Sequence, residues 1–169
     1  LFIKLIIKEK KKFIIMNFTI LPKNLLIPKQ DGACDHLLNT KIPDISLPTQ
    51  DGNFLKLNRT DTFRLVIYCF PMTGHPKYPL PDKWDTIPGA RGCTPQTCSF
   101  RDHYDQIIEQ NAVPIGLSTQ SVEDLKEMTV RLLIPYDIVS DQQLLLASAL
   151  QLPTFSIGDK KSSISLISA

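Results

Sequence analysis

Residues 89–102 read Gly-Ala-Arg-Gly-Cys-Thr-Pro-Gln-Thr-Cys-Ser-Phe-Arg-Asp, GARGCTPQTCSFRD. Thr94-Pro95 marks a helix start, because proline is tolerated in the first turn, where its missing N–H would have no intrahelical acceptor. Phe100, Tyr104, Ile107 and Ile108 then recur at helical spacing, which predicts one helix running to about Gln110 with a single buried stripe. Cys93 therefore falls where a loop turns into a helix. The unpaired first-turn N–H groups and the positive end of the helix dipole converge there. Arg91, two residues earlier, adds positive charge. All three favour a thiolate, and the thiolate is the nucleophilic form of cysteine. Cys93 is expected to be an activated cysteine.

Cys98 lies five residues further along the same helix. In an ideal helix, Cα atoms five apart are about 8.7 Å from each other. A disulfide needs less than about 7 Å. The two sulfurs are thus either unrelated thiols or partners that meet only when the first turn unwinds. A zinc site is not expected: C-x4-C lacks a second ligand pair, and His36, His75 and His103 show no ligand spacing.

Working outward, residues 63–70 (FRLVIYCF) form a β-rich apolar run suited to a buried central strand. Residues 71–92 form a long loop rich in proline and glycine, and it carries the single tryptophan, Trp84, as an anchor. Loops of more than about 12–15 residues are usually functional or disordered. Upstream, residues 17–50 are punctuated by proline and read as an extended lead-in, and Gln50-Asp51-Gly52-Asn53 predicts a hairpin turn. Downstream, 113–117 reads as a strand, Ser121 as a helix cap with Asp124 in its first turn, and 134–139 as a strand. Asp141 reads as the cap of a short helix to about Leu150, followed by strand-like LPTFSI and ISLIS around Gly158-Asp159. Strands alternating with helices predict a sheet covered by helices.

The chain has 169 residues, 43% hydrophobic and 21% charged, which suits one globular domain and excludes wholesale disorder. The net charge of +2 is carried by residues 1–15, LFIKLIIKEKKKFII, which hold five lysines and one acid. The rest has 14 basic against 16 acidic residues, so no basic stripe invites nucleic acid. No apolar run reaches 18 residues, so no membrane span is expected. Lysines interrupt the apolar runs of 1–15, and no small-residue cleavage site follows, against a signal peptide. These residues read as an extension outside the fold, with the domain at 16–169. Four cysteines without a secretory signal point to a reducing, cytoplasmic compartment, where cysteines do chemistry more often than stapling.

GCTPQTCSFRDHY resembles the active-site helix of peroxiredoxins, in particular the Q-type group of bacterioferritin comigratory proteins, whose G-C-T-x-x-x-C-x-F-R-D run holds both cysteines. The likeness extends from IPDISLPTQDG at 42 through YCFPMTG and PIGLSTQS to VSDQQLLLASALQLPTF, about 120 residues in the same order. It implies an α/β thioredoxin-like fold, with a central mixed sheet flanked by helices, an N-terminal hairpin and a C-terminal end that reads as truncated or divergent. It further implies a monomeric thiol peroxidase. Cys93 would be the peroxidatic cysteine, attacking a hydroperoxide to leave a sulfenic acid. Cys98 would be the resolving cysteine, and thioredoxin or a similar dithiol would reduce their disulfide. No metal, haem or flavin is implied.

Three positions depart from the family pattern. The family proline and threonine ahead of the reactive cysteine are replaced by Thr86 and Ala90. Pro71 and Thr73 sit in the family-like place after the strand, but the long loop separates them from Cys93. Either the loop returns Thr73 to the site, or Arg91 and backbone donors replace it. The family arginine on a late strand falls at Ser162 or Ser163. A rival reading is a redox-sensing or impaired module of the same fold. Another is a disulfide oxidoreductase, against which stands C-x4-C in place of C-x-x-C. Cys34, in GACDH, is a third candidate thiol, and Cys69 reads as core. Arg101 and Asp102 read as an ion pair bracing the helix.

Overall fold

The computed structural model describes residues 31–58 and 64–157, together with the backbone of 160–163. The proposed boundary at Met16 lies outside the described residues. A hairpin of β1 (Ser46–Pro48) and β2 (Phe54–Lys56) comes first, then β3 (Arg64–Phe70), α1 (Cys93–Asp102), α2 (Tyr104–Glu109), β4 (Ala112–Ser118), α3 (Val122–Leu132), β5 (Ile138–Ser140), α4 (Leu145–Ala149) and a second hairpin of β6 (Thr154–Ile157) and β7 (Lys160–Ser163). The Gln50–Asn53 turn is where the sequence places it: the Thr49 N–H donates to Asn53 O at 2.7 Å, and Gly52 supplies a φ of +80°.

Strands β3, β4 and β5 form a parallel sheet in that order. An antiparallel bridge from Thr49 to Val139 ties the first hairpin to it and makes the arrangement mixed. The expectation that residues 63–70 form the central strand is corrected. The centre is β4, and β3 is an edge of this sheet among the described residues. The burial follows: β4 is enclosed almost throughout, whereas β3 is fully buried only from Tyr68 onward.

Side chains alternate across the sheet and define two cores. On one face Cys69, Ile115, Leu117 and Val139 pack with the first hairpin and α4. On the other face Tyr68, Phe70 and Ile138 pack against α1 and α3, and both Cys93 and Cys98 belong to this second cluster. Gly116 makes room for it. A Cβ there would lie 2.5 Å from Ile138 Cδ1 and 2.9 Å from the Tyr68 hydroxyl.

Four elements differ from the sequence reading. The helix expected to run to Gln110 breaks at His103, which sits at φ −110°, ψ 15°; its ring Nδ1 lies 2.8 Å from the Ser99 carbonyl that its own backbone N–H also reaches. The strand expected over 134–139 begins only at Ile138, because the Ile134 N–H is used to close α3 on Thr129 O, and Pro135 has no donor. In the last hairpin Ile157 pairs with Lys160, so the second strand is Lys160–Ser163, and ISLIS lies outside the described residues. The lead-in is a turn where described: a 3-10 segment, Asp35–Leu37, is docked on the far core by His36 Nε2, 2.8 Å from Leu150 O. Both predicted caps form. Ser121 accepts the Asp124 N–H at 3.2 Å, and the Asp141 carboxylate accepts from Leu145 at 2.6 Å and Ala147 at 2.8 Å.

Candidate active site

Residues 71–92 leave the end of β3 and return beside it. The return is built from successive tight turns, in which Trp84 N–H reaches Pro81 O, Ala90 N–H reaches Ile87 O and Gly92 N–H reaches Gly89 O. Trp84 is 3% exposed, and its indole N–H donates to Ala90 O at 2.7 Å, so it anchors the stretch that delivers Cys93. The Met72 backbone N–H faces the Cys93 sulfur. The two ends of the excursion therefore meet at the reactive position.

Cys93 is the first residue of α1, and Gly92 caps it without a side-chain hydrogen bond. This is the junction expected, but the expected thiolate is not what the surroundings favour. Cys93 is 6% exposed. Burial pushes its thiol up to about 11, against a smaller lowering by the N–H groups of Met72 and Cys93 itself. The thiol makes a long contact of 4.0 Å to Ala90 O, which suits the protonated form. Desolvation outweighs the helix start.

Arg91 does not supply the expected charge. Its guanidinium clasps Asp85 on the surface, with Nε 2.5 Å from Oδ1 and Nη2 2.6 Å from Oδ2. A bidentate carboxylate satisfies the planar fork, and Arg91 is not among the groups that move the Cys93 proton. The expectation of Arg91 as an activator is corrected on that ground.

Thr73 is brought near. It follows Met72 directly and is 2% exposed. Gln120, a residue that sequence reasoning missed, holds it: Thr73 N–H and hydroxyl donate to Gln120 Oε1 at 2.8 and 3.4 Å, and Gln120 Nε2 donates to Thr73 O at 3.4 Å. Ser118 and Thr119 donate to Pro71 O at 3.2 and 3.3 Å. The ends of β3 and β4 are thus tied together beside Cys93. The signal for this lay in the parallel register, which sets Phe70 opposite Ser118.

Cys98 is 2% exposed and lies in the same cluster. Burial raises its pKa, against a smaller lowering by the nearby charges of Arg101 and Arg131; Asp102 acts with burial. The cation expected beside the first sulfur is therefore found beside the second. Two buried tyrosines, also unforeseen, border both thiols. Tyr68 and Tyr136 hydroxyls are 3.0 Å apart, and Tyr136 donates to Thr97 O at 2.8 Å. Thr97 in turn donates from its hydroxyl to Cys93 O at 2.9 Å. Burial, with a smaller contribution from both sulfurs, pushes Tyr68 up to about 12. The Tyr68 ring stacks on Phe100 at 4.3 Å.

Other candidates lie elsewhere. Cys69 is core on the opposite face. Cys34 is half-buried, and its pKa is raised by burial and by Asp31 and Asp35, a setting that opposes a thiolate. His75 lies against Tyr78 with the rings tilted, centroids 4.7 Å apart, and accepts the Lys77 N–H. Arg101 pairs with Asp102 at 2.7 Å as expected. Among the described residues no group of three or more His, Cys, Asp or Glu is placed to hold a metal, and no helix is long and apolar enough to cross a membrane. Cys93 and Cys98 are thiols, with no disulfide between them.

Residues 86–161 match the AhpC/TSA family. The chain is 31% identical over 123 residues to peroxiredoxin bcp1 of Schizosaccharomyces pombe, covering 71% of this chain and 55% of that protein. It is 28% identical over 100 residues to peroxiredoxin Bcp of Escherichia coli K12, covering 59% and 54%. The chain thus spans about half the length of the curated relatives it matches. Among solved structures, peroxidoxin BcpB of Mycobacterium tuberculosis superposes with a TM-score of 0.58 at 22% identity, over 73% of this chain and 70% of the other. Peroxiredoxin Q of Xanthomonas campestris gives 0.54 at 18%, over 83% and 75%. The fold is that of the thioredoxin-fold peroxiredoxins among the solved structures, and the sequence is similar to peroxiredoxins. Within that class its relatives are Q-type, bacterioferritin comigratory protein-like peroxiredoxins.

Proposed function

We propose that this chain reduces hydrogen peroxide and organic hydroperoxides with electrons from a dithiol. Cys93, as thiolate, attacks the terminal oxygen of the O–O bond. The S–O bond forms, the O–O bond breaks, and the leaving alkoxide or hydroxide takes a proton to depart as alcohol or water, so that Cys93 becomes a sulfenic acid. Cys98 then attacks that sulfur, an S–S bond replaces the S–O bond, and water leaves. Thioredoxin or a similar dithiol returns both thiols by exchange. The N–H groups of Met72 and Cys93 are the donors proposed to face the peroxide oxygens, joined by the Thr73 hydroxyl when it turns away from its long contact of 3.4 Å to Gln120. The compartment proposed is the cytoplasm, and the acting unit a monomer.

The observation that carries this reading is the Cys93 sulfur at the first residue of α1, faced by the Met72 and Cys93 N–H groups, with a second thiol in the same buried cluster. Peroxide consumption by the full chain with thioredoxin, thioredoxin reductase and NADPH tests it. Turnover is expected, with none in Cys93→Ser, and with Cys98→Ser turning over only when a small thiol replaces thioredoxin.

A second reading is favoured by one specific observation, the high proton affinity of Cys93 with no cation contributing to it among the described residues. On that reading the chain is a peroxide-responsive module that forms the disulfide without sustained turnover. Stoichiometric Cys93–Cys98 bonding in the absence of NADPH-coupled consumption identifies it.

A further inference from the structure

Cys93 and Cys98 are free thiols in one helix, so their union depends on how the first turn of α1 is held. That turn has no side-chain cap, because Gly92 precedes it. The groups that hold it come from within the segment and from the sheet behind it. The Thr97 hydroxyl donates to Cys93 O at 2.9 Å, and the Thr97 carbonyl accepts from the Tyr136 hydroxyl at 2.8 Å. Tyr136 has one hydroxyl proton, and Thr97 O takes it. The 3.0 Å contact between the two tyrosine hydroxyls is therefore a bond that Tyr68 donates and Tyr136 accepts. A one-way chain of hydrogen bonds thus runs from β3 through Tyr136 to Thr97 and on to Cys93. Tyr68, Thr97 and Tyr136 are all buried, so water does not make good a broken bond there. Tyr136 lies between α3 and β5, its ring stacked on Tyr104 at 5.9 Å and edge-on to Tyr68 at 6.2 Å.

We propose that Tyr136, oriented by Tyr68, is a latch on the dithiol form: it keeps the first turn of α1 wound and must release Thr97 before Cys93 and Cys98 can join. In an ideal helix residues five apart face about 140° away from each other. The Thr97–Cys98 peptide is the last in the segment that an S–S bond would close. Bringing the sulfurs together turns this peptide and takes Thr97 O off the Tyr136 hydroxyl. It also draws Cys93 O off the Thr97 hydroxyl. Tyr136 acts through the backbone, as a positioning residue. The inference rests on the peroxidase reading for the electrophile that Cys98 meets. There the Cys98 sulfur attacks the Cys93 sulfenic acid, the S–S bond forms and the S–O bond breaks. Hydroxide leaves and takes the Cys98 proton to become water. The Cys98 sulfur is oxidised and the sulfenic sulfur reduced, so no further oxidant enters.

The latch bonds exist only in the dithiol form. Their loss therefore shifts the dithiol–disulfide equilibrium, whereas general destabilisation weakens both forms and leaves the ratio alone. The full chain is equilibrated at neutral pH with reduced and oxidised glutathione, and the Cys93–Cys98 bond is quantified by peptide mapping. Oxidised glutathione takes the two electrons and two protons that the thiols give up. Y136F is expected to move the equilibrium about five- to tenfold toward the disulfide, the worth of one buried hydrogen bond and its stranded acceptor. Y68F leaves the bond to Thr97 O in place and is expected to shift it less. T97V removes the clasp on Cys93 O and is expected to shift it in the same direction as Y136F. D141A uncaps α4 on the other face of the sheet and is expected to leave the ratio unchanged. An unmoved ratio in Y136F, or an equal shift in D141A, overturns the proposal. If Y136F loses the fold, an unmoved ratio in T97V is equally fatal. Sulfenic acid trapping at Cys93 in Cys98→Ser, after one equivalent of hydrogen peroxide, is run in parallel. Its failure removes the peroxidase reading and leaves the glutathione result standing, so the two failures are distinguishable.

Discussion

The buried thiol of Cys93 sets a pH dependence that can be worked from the structure. Its pKa is pushed up to about 11 by burial. At pH 7 the closed fold therefore holds about one thiolate in 10⁴ molecules, and the fraction grows about tenfold per pH unit. The perturbation is pH itself, applied to the Cys98→Ser protein so that only the first step is read. The assay is stopped-flow oxidation by excess hydrogen peroxide with the sulfenic acid trapped and located by peptide mass, which separates Cys93 from Cys34. The rate constant is expected to rise about a thousandfold from pH 7 to 10, to bend near 11 and to level above it. Stability follows the same proton. A folded pKa raised above the ordinary 9.0 means that the buried neutral thiol contributes fully below pH 9, and that this contribution is lost as the pH climbs to about 11. The loss amounts to about 2–3 kcal/mol relative to Cys93→Ala in urea unfolding. A rate already level at pH 7 refutes the reasoning, because it requires a thiolate in the resting fold.

Three further outcomes follow from the packing. Tyr136→Phe removes the donor to Thr97 O and the partner of Tyr68; unpaired buried groups of this kind cost about 1–3 kcal/mol, read as a lower urea midpoint with an unchanged slope. Gly116→Ala forces a methyl toward Ile138 and the Tyr68 ring, and is expected to destabilise by about 1–3 kcal/mol in thermal unfolding. Asp141→Ala strips the first-turn N–H groups of α4 of their carboxylate, at a cost of about 2 kcal/mol and with faster hydrogen exchange at Leu145 and Ala147.

What was legible in the sequence is what is local. Gly52 in a turn, Ser121 and Asp141 as caps and Thr94-Pro95 at a helix start each depend on neighbours a few residues away, and each takes the form expected. The electrostatics of Cys93 are only half legible, because dipole and neighbouring charge can be read from sequence, whereas desolvation is set by distant chain. Phe70 and Ile138, from β3 and β5, share the cluster that encloses it. Arg91 is close to Cys93 in sequence, but its planar fork finds a better acceptor in Asp85. Gln120 on Thr73 and Tyr136 against Tyr68 join residues 47 and 68 positions apart. No periodicity reports such pairs; only the parallel register of β3 and β4 hints at the first. The late start of β5 has a similar origin, since α3 consumed the Ile134 N–H in its own termination.

Peptide mapping of the full chain after one equivalent of hydrogen peroxide tests the central claim most directly. The account predicts a Cys93–Cys98 disulfide in the unsubstituted protein and a trapped sulfenic acid at Cys93 in Cys98→Ser. Oxidation confined to Cys34, with Cys93 and Cys98 still reduced, would contradict it.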